Sequence, residues 1–143
     1  MSSAVTLLAE LGEGLRRAQQ GYEHLQLLLE RQFQAALRHA AAEIGELGEA
    51  IVNQVQQLEN QGRRDRELLV ALLGREAGVA SVRELLRRLP RQKAEPLLQR
   101  WRALQRLLAH CKALNLRNGQ LMAEQQMLMQ QLLGQEGHVY AER

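Results

Sequence analysis

Cysteine, proline and aromatic residues are the scarce ones in this 143-residue chain. The single cysteine, Cys111, allows no intramolecular disulfide and points to no oxidising compartment. Two prolines and 3% aromatic residues leave too little turn and strand material for a sheet sandwich or barrel. No uncharged run of about 18–20 apolar residues is available to span a bilayer. No basic region precedes the N-terminal AVTLLA run, and Glu10 soon interrupts it, so a signal peptide is not expected. A soluble intracellular protein is the expectation. The net charge of +3 is small for this length and does not by itself predict a nucleic-acid partner.

Catalytic patterns are missing too. His24, His39, His110 and His138 are scattered, and none meets a second His or a Cys at the three- or four-residue step that places two metal ligands on one helix face. His110 and Cys111 are adjacent, so on a helix they point about 100° apart. The glycines form no phosphate-binding loop, because no strand precedes them. Glu43, Glu46 and Glu49 read as solvated helix-surface charges. Neither an enzyme nor a metal or cofactor site is expected.

What is present is leucine, alanine, glutamine, glutamate and arginine, the composition of long helices. Ser2 and Ser3 are candidate N-caps for a first helix whose apolar rhythm runs from Val5 to Ala36. The stripe loses its large residues at Arg38–Ala42, the expected break. A second stripe runs from Ile44 to Leu72, with the polar stretch NQGRRD at 60–65 either solvated or locally irregular. Gly74 is a natural stop and REAGVA a loop. Ser81 and Glu84 form a capping box before Leu85, and Pro90 ends that short helix. RQKAE reads as a linker and Pro96 as the first residue of the last helix, which Gly134 and Gly137 close. The expected fold is all-α: an elongated antiparallel bundle of three long helices (about 3–37, 41–73 and 96–133) with one short helix at about 81–89. Residues 1–137 would form a single domain and 138–143 a mobile tail.

The most informative stretch is Trp101–Gly134. Trp101, Leu104, Leu108, Cys111, Leu114, Leu121, Met122, Leu128, Met129 and Leu132 mark one apolar helix face, interrupted by Asn115, Asn118 and Gln125. Buried amides need partners. One reading is a bundle seam in which asparagine fixes register. The other is a partner-binding groove, with Met122, Met127 and Met129 adapting to partner shape and Gly119 admitting a close helix. A basic run (Arg83, Arg87, Arg88, Arg91, Lys93, Arg100, Arg102 and Arg106) is opposed locally only by Glu84 and Glu95. It could neutralise phosphates, although no nucleic-acid-binding signature accompanies it.

The segment Asn115, Asn118, Gly119 and Leu121, continued by Leu128, Leu132 and Leu133 and followed by Tyr140, resembles the N-x-x-N-G-x-L/I pattern in the final helix of the FlgN family. The resemblance extends in outline over nearly the whole chain. It implies a cytoplasmic, non-enzymatic chaperone of the flagellar type III export system whose cargo is the hook-associated proteins FlgK and FlgL. The cargo's C-terminal helical segments would be gripped by Leu114, Asn118, Leu121, Met122, Gln125, Leu128, Met129 and Leu132, and Tyr140 would touch the export gate. Two rival classes stay open: a structural coiled coil that homo-oligomerises through the same stripe, and a basic helical nucleic-acid-binding protein.

Overall fold

The structure is a computed structural model that describes residues 3–74 and 81–141, with side chains as far as residue 133. The described residues form four helices and no strand: α1 (Ala4–Leu37), α2 (Ala41–Leu73), α3 (Val82–Arg88) and α4 (Arg91–Ala141). The all-α bundle of three long helices and one short one is therefore what the chain adopts. Arginine 75 to alanine 80, the REAGVA segment expected as a loop, lies outside the described residues, as does Ser2.

The breaks follow local chemistry. Ser3 caps α1, its hydroxyl accepting from the Thr6 N–H at 3.2 Å. At the other end His39 takes a left-handed conformation (φ 57°), the His39 N–H donates to the Ala36 carbonyl and the Ala40 N–H to the Ala35 carbonyl. These are the paired bonds of a Schellman stop, here with histidine where glycine is usual. Gly74 ends α2 at φ 83°, a conformation that favours glycine, with its N–H on the Val70 carbonyl at 2.7 Å. Only half of the Ser81–Glu84 capping box forms: the Glu84 N–H donates to Ser81 Oγ, but the Glu84 carboxylate turns to Arg87 and Arg88.

The last helix is longer at both ends than periodicity suggests. It begins at Arg91 rather than Pro96, so RQKAE is its opening and not a linker. Pro96 is exposed inside the helix, where the ring removes one N–H close to the end. The Pro90 carbonyl takes over the start, accepting from the N–H groups of Lys93 and Ala94. Gly134 and Gly137 do not close the helix, whose backbone continues to Ala141.

α1 is the central element. α2 and α4 both pack along it, and their own backbones do not come together. α2 runs antiparallel to α1, bringing Asp65 and Gln61 to Gly14, and Leu58 and Gln54 to Gly21. The glycines seven residues apart thus admit α2, and Gln54 Nε2 donates to the Gly21 carbonyl at 3.0 Å. The NQGRRD stretch is regular helix, and two of its residues, Gln61 and Asp65, are buried. Polar residues facing inward were not foreseen there; they fit because Gly14 leaves room for them. The expected antiparallel packing holds for α1 and α2 only: α4, returned by the intervening α2, runs parallel to α1 at a constant sequence offset of 89, which pairs Cys111 with Tyr22, Asn118 with Leu29 and Gln125 with Ala36. One core cluster (Leu11, Leu15, Leu69, Leu73, Leu85 and Leu97) ties α3 and the first turns of α4 to the start of α1 and the end of α2. Arg88 adds a bond from Nη1 to the Leu73 carbonyl at 3.2 Å, satisfying an acceptor at the α2 terminus. A second cluster, Leu25, Leu29, Cys111 and Leu114, lies midway along α1.

Two consequences are testable. A Cβ at Gly12 would meet open space, whereas one at Gly14 would strike the Asp65 carboxylate and lie 3.0 Å from Gln61 Nε2. Gly12→Ala should gain up to about 1 kcal/mol of helix propensity, and Gly14→Ala should lose roughly 1–3 kcal/mol to overpacking; urea titration of both variants reads the opposite signs. Burial also raises the pKa of Asp65, against the lowering effects of the Gln61 hydrogen bond and of the Arg64 and Arg17 charges. A raised folded-state pKa means that Asp65 favours the fold most below its unfolded value and loses that contribution as pH rises through the folded value. Asp65→Asn should therefore stabilise the protein at neutral pH, and its advantage over the wild type should shrink as acid protonates Asp65. Urea midpoints measured across the acid range check this; a constant difference would contradict it.

Candidate partner-binding site

Three residues of the α4 seam, spaced seven apart, each offer a donor to an α1 carbonyl. The Cys111 thiol reaches the Tyr22 carbonyl at 3.5 Å, Asn118 Nδ2 the Leu29 carbonyl at 2.7 Å, and Gln125 Nε2 the Ala36 carbonyl at 2.8 Å. Helix carbonyls keep a lone pair beyond the helical bond, so these contacts cost α1 nothing. Cys111 is buried, and burial pushes its thiol pKa up, which keeps it protonated and able to donate.

Asn118 is the best satisfied residue of the seam. It is 0% exposed. Its Nδ2 also donates to Gln32 Oε1 at 3.1 Å, and its Oδ1 accepts from Arg117 Nε and Nη2 at 3.3 and 3.1 Å. Arg117 in turn reaches Glu30 at 3.4 Å and lies 3.6 Å from the centre of the Phe33 ring. A buried amide with all its donors and acceptors used specifies one register, because any slip leaves it unpaired.

The eight residues singled out in the sequence therefore fall into two groups. Leu114 and Asn118 are buried against α1, Leu121 and Met122 are half-buried, and Gln125 is tied to Ala36. While α1 and α4 stay paired, Leu114 and Asn118 are closed to any partner. Leu128, Met129 and Leu132 are exposed, at 60%, 57% and 58%, and Met127 and Leu133 join them. The division has a simple cause. With a register offset of 89, α1 runs out at Leu37, opposite the turn after Gln125, while α4 continues to Ala141. The helix thus outlasts its partner by some 15 residues, roughly 22 Å, and the described part of the seam outlasts it as far as Leu133. Among the described residues, no other helix comes within 4 Å of where a Gly119 side chain would start, so Gly119 faces open space there. The Tyr140 side chain lies outside the described residues.

A second apolar feature escaped the sequence reading. Because the backbones of α2 and α4 flank α1 without coming together, they leave an open groove of about 890 Å³ floored by Leu25 and Leu29. Its walls include Val52 and Val55 from α2, 67% and 38% exposed, and Leu108 from α4. Among the described residues no group of three or more His, Cys, Asp or Glu side chains is arranged to hold a metal ion, and no helix is long and apolar enough to cross a membrane.

Asn118→Ala should destabilise the fold by about 2–3 kcal/mol, since it strands the Gln32 and Arg117 groups that the amide satisfies. Asn115→Ala, at an exposed position three residues away, should change stability by less than about 0.5 kcal/mol. Parallel thermal and urea melts distinguish the two; equal effects would contradict the register role.

Comparison with known proteins adds one match and two blanks. No curated protein and no solved structure matches the chain. The family model described as FlgN protein matches residues 1–134, which takes in the described α1–α2 hairpin, α3 and the whole seam of α4 through Leu133. On that match the chain belongs to the FlgN family of flagellar export chaperones.

Proposed function

We propose that this protein is a cytoplasmic chaperone that holds the C-terminal helical segments of the hook-associated proteins FlgK and FlgL and delivers them to the flagellar type III export apparatus. The observation that carries the proposal is the α4 seam that outlasts α1. Leu128 and Leu132 continue the line of Leu114, Leu121 and Gln125, yet have no helix facing them. A cargo helix placed end-on to α1 would complete the seam with the packing that α1 provides further back.

The energetics suit a carrier. Covering Met127, Leu128, Met129, Leu132 and Leu133 would contribute roughly 1.5–3 kcal/mol for each side chain fully buried. Ordering a disordered cargo terminus takes back several kcal/mol, and lost translational freedom takes more. The remainder corresponds to selective binding that can be undone, as export requires. Met127 and Met129 can repack, so one surface can serve two cargoes.

Leu128→Asp combined with Leu132→Asp alters only exposed positions, so the fold should survive and be verified by circular dichroism. Affinity for purified FlgK or FlgL, measured by calorimetry, should drop at least about hundredfold. Val52→Asp combined with Val55→Asp, in the groove between α2 and α4, should leave affinity within about threefold. The reverse pattern would move the cargo site to the groove. A self-associating coiled coil would use the same seam, and sedimentation separates it: a tight oligomer that persists with saturating cargo contradicts the chaperone reading.

A further inference from the structure

The basic run is not absorbed by the cargo surface. Residues 83–106 carry eight arginines and lysines against two glutamates, whereas the rest of the chain, whose total is +3, carries a net −3. The fold concentrates this excess further. α3 and the first turns of α4 meet at an elbow with a shallow cavity of about 460 Å³. Leu86, Leu98 and Trp101 line it with apolar surface, and Arg83, Arg87, Arg91 and Arg102 border it. Arg87 and Arg91 already hold Glu84 and Glu95, at 3.0 and 3.7 Å. Among the described residues, Arg83 and Arg102 pair with no carboxylate.

We infer that this elbow is a second docking surface, for an acidic amphipathic segment of a protein partner that sets one or two apolar side chains against Trp101 and its carboxylates against Arg83 and Arg102. Charge complementarity names the sign of the partner. The apolar lining names its class. A nucleic-acid backbone offers nothing to bury on Leu86 and Leu98. The elbow and the exposed end of the seam lie about 40 Å apart along α4, from Arg102 to Leu128. One chain can therefore hold cargo at one end and an acidic partner at the other, which is what an adaptor between cargo and machinery needs.

Trp101 is the chain's only tryptophan and lies in the elbow, so its fluorescence reports occupancy directly. The probe is a synthetic helical peptide with a leucine face flanked by glutamates, titrated into the full chain beside an otherwise identical peptide with glutamine for every glutamate. Single-stranded and duplex DNA form a third arm. The glutamate peptide should shift Trp101 emission and bind at least about tenfold more tightly than the glutamine peptide, and weaken about tenfold as salt rises from low to above physiological. Arg83→Glu with Arg102→Glu should abolish binding, and the milder Arg83→Gln with Arg102→Gln should weaken it if the reversal variant unfolds. Arg63→Glu with Arg66→Glu makes the same charge change on α2 and should leave binding within about threefold. Equal loss in that control, equal binding of the two peptides, or tighter binding of DNA would each overturn the inference.

Discussion

The bond from Asn118 Nδ2 to the Leu29 carbonyl, inside an amide saturated on every side, is the constraint on which the rest of the molecule depends. Leucine alone would let α4 slide along α1, because one leucine layer packs much like the next. A buried amide does not tolerate sliding. By fixing the offset at 89, Asn118 decides which part of the α4 seam belongs to the fold and which part lies beyond the end of α1. The exposed Leu128 and Leu132 are thus a consequence of the register, not a separate device.

The same logic accounts for the two sides of α1. Gly14 and Gly21 draw α2 in on one side, while Tyr22, Leu29 and Ala36 take α4 on the other. With both neighbours committed to α1, nothing closes the space between them, and the groove over Leu25 and Leu29 follows. The short α3 closes the opposite end, where Leu85 enters the core and Arg88 holds the α2 terminus. Its exposed arginines then face outward together with those of α4. Core, seam and basic elbow occupy successive lengths of one long helix.

Much of this was legible in the residues. Period and punctuation gave four helices and the breaks at Arg38 and Gly74, because local chemistry decides both. Pro96 misled, since a proline near a helix start reads as its first residue, whereas the Pro90 carbonyl begins the helix earlier. NQGRRD misled because its inward residues depend on Gly14, some fifty positions away in sequence. Of the three amides that interrupt the last helix, Asn118 and Gln125 bond to α1 carbonyls while Asn115 is exposed, and no pattern within one helix separates them. The seven-residue spacing of Cys111, Asn118 and Gln125, three donors in one line, was the available clue to an internal seam. The exposed half depends on where α1 ends opposite α4, a property of two helices together.

A division of α4 into a part that folds and a part that binds makes a direct demand on backbone protection. Amide hydrogen exchange, followed along α4 with and without the C-terminal segment of FlgK, reads it residue by residue. The account predicts that Leu108–Gln125 is protected in both states, while Met127–Leu133 exchanges quickly alone and becomes protected with cargo. Protection that arises instead in Ile51–Leu58 of α2, with Met127–Leu133 unchanged, would contradict it.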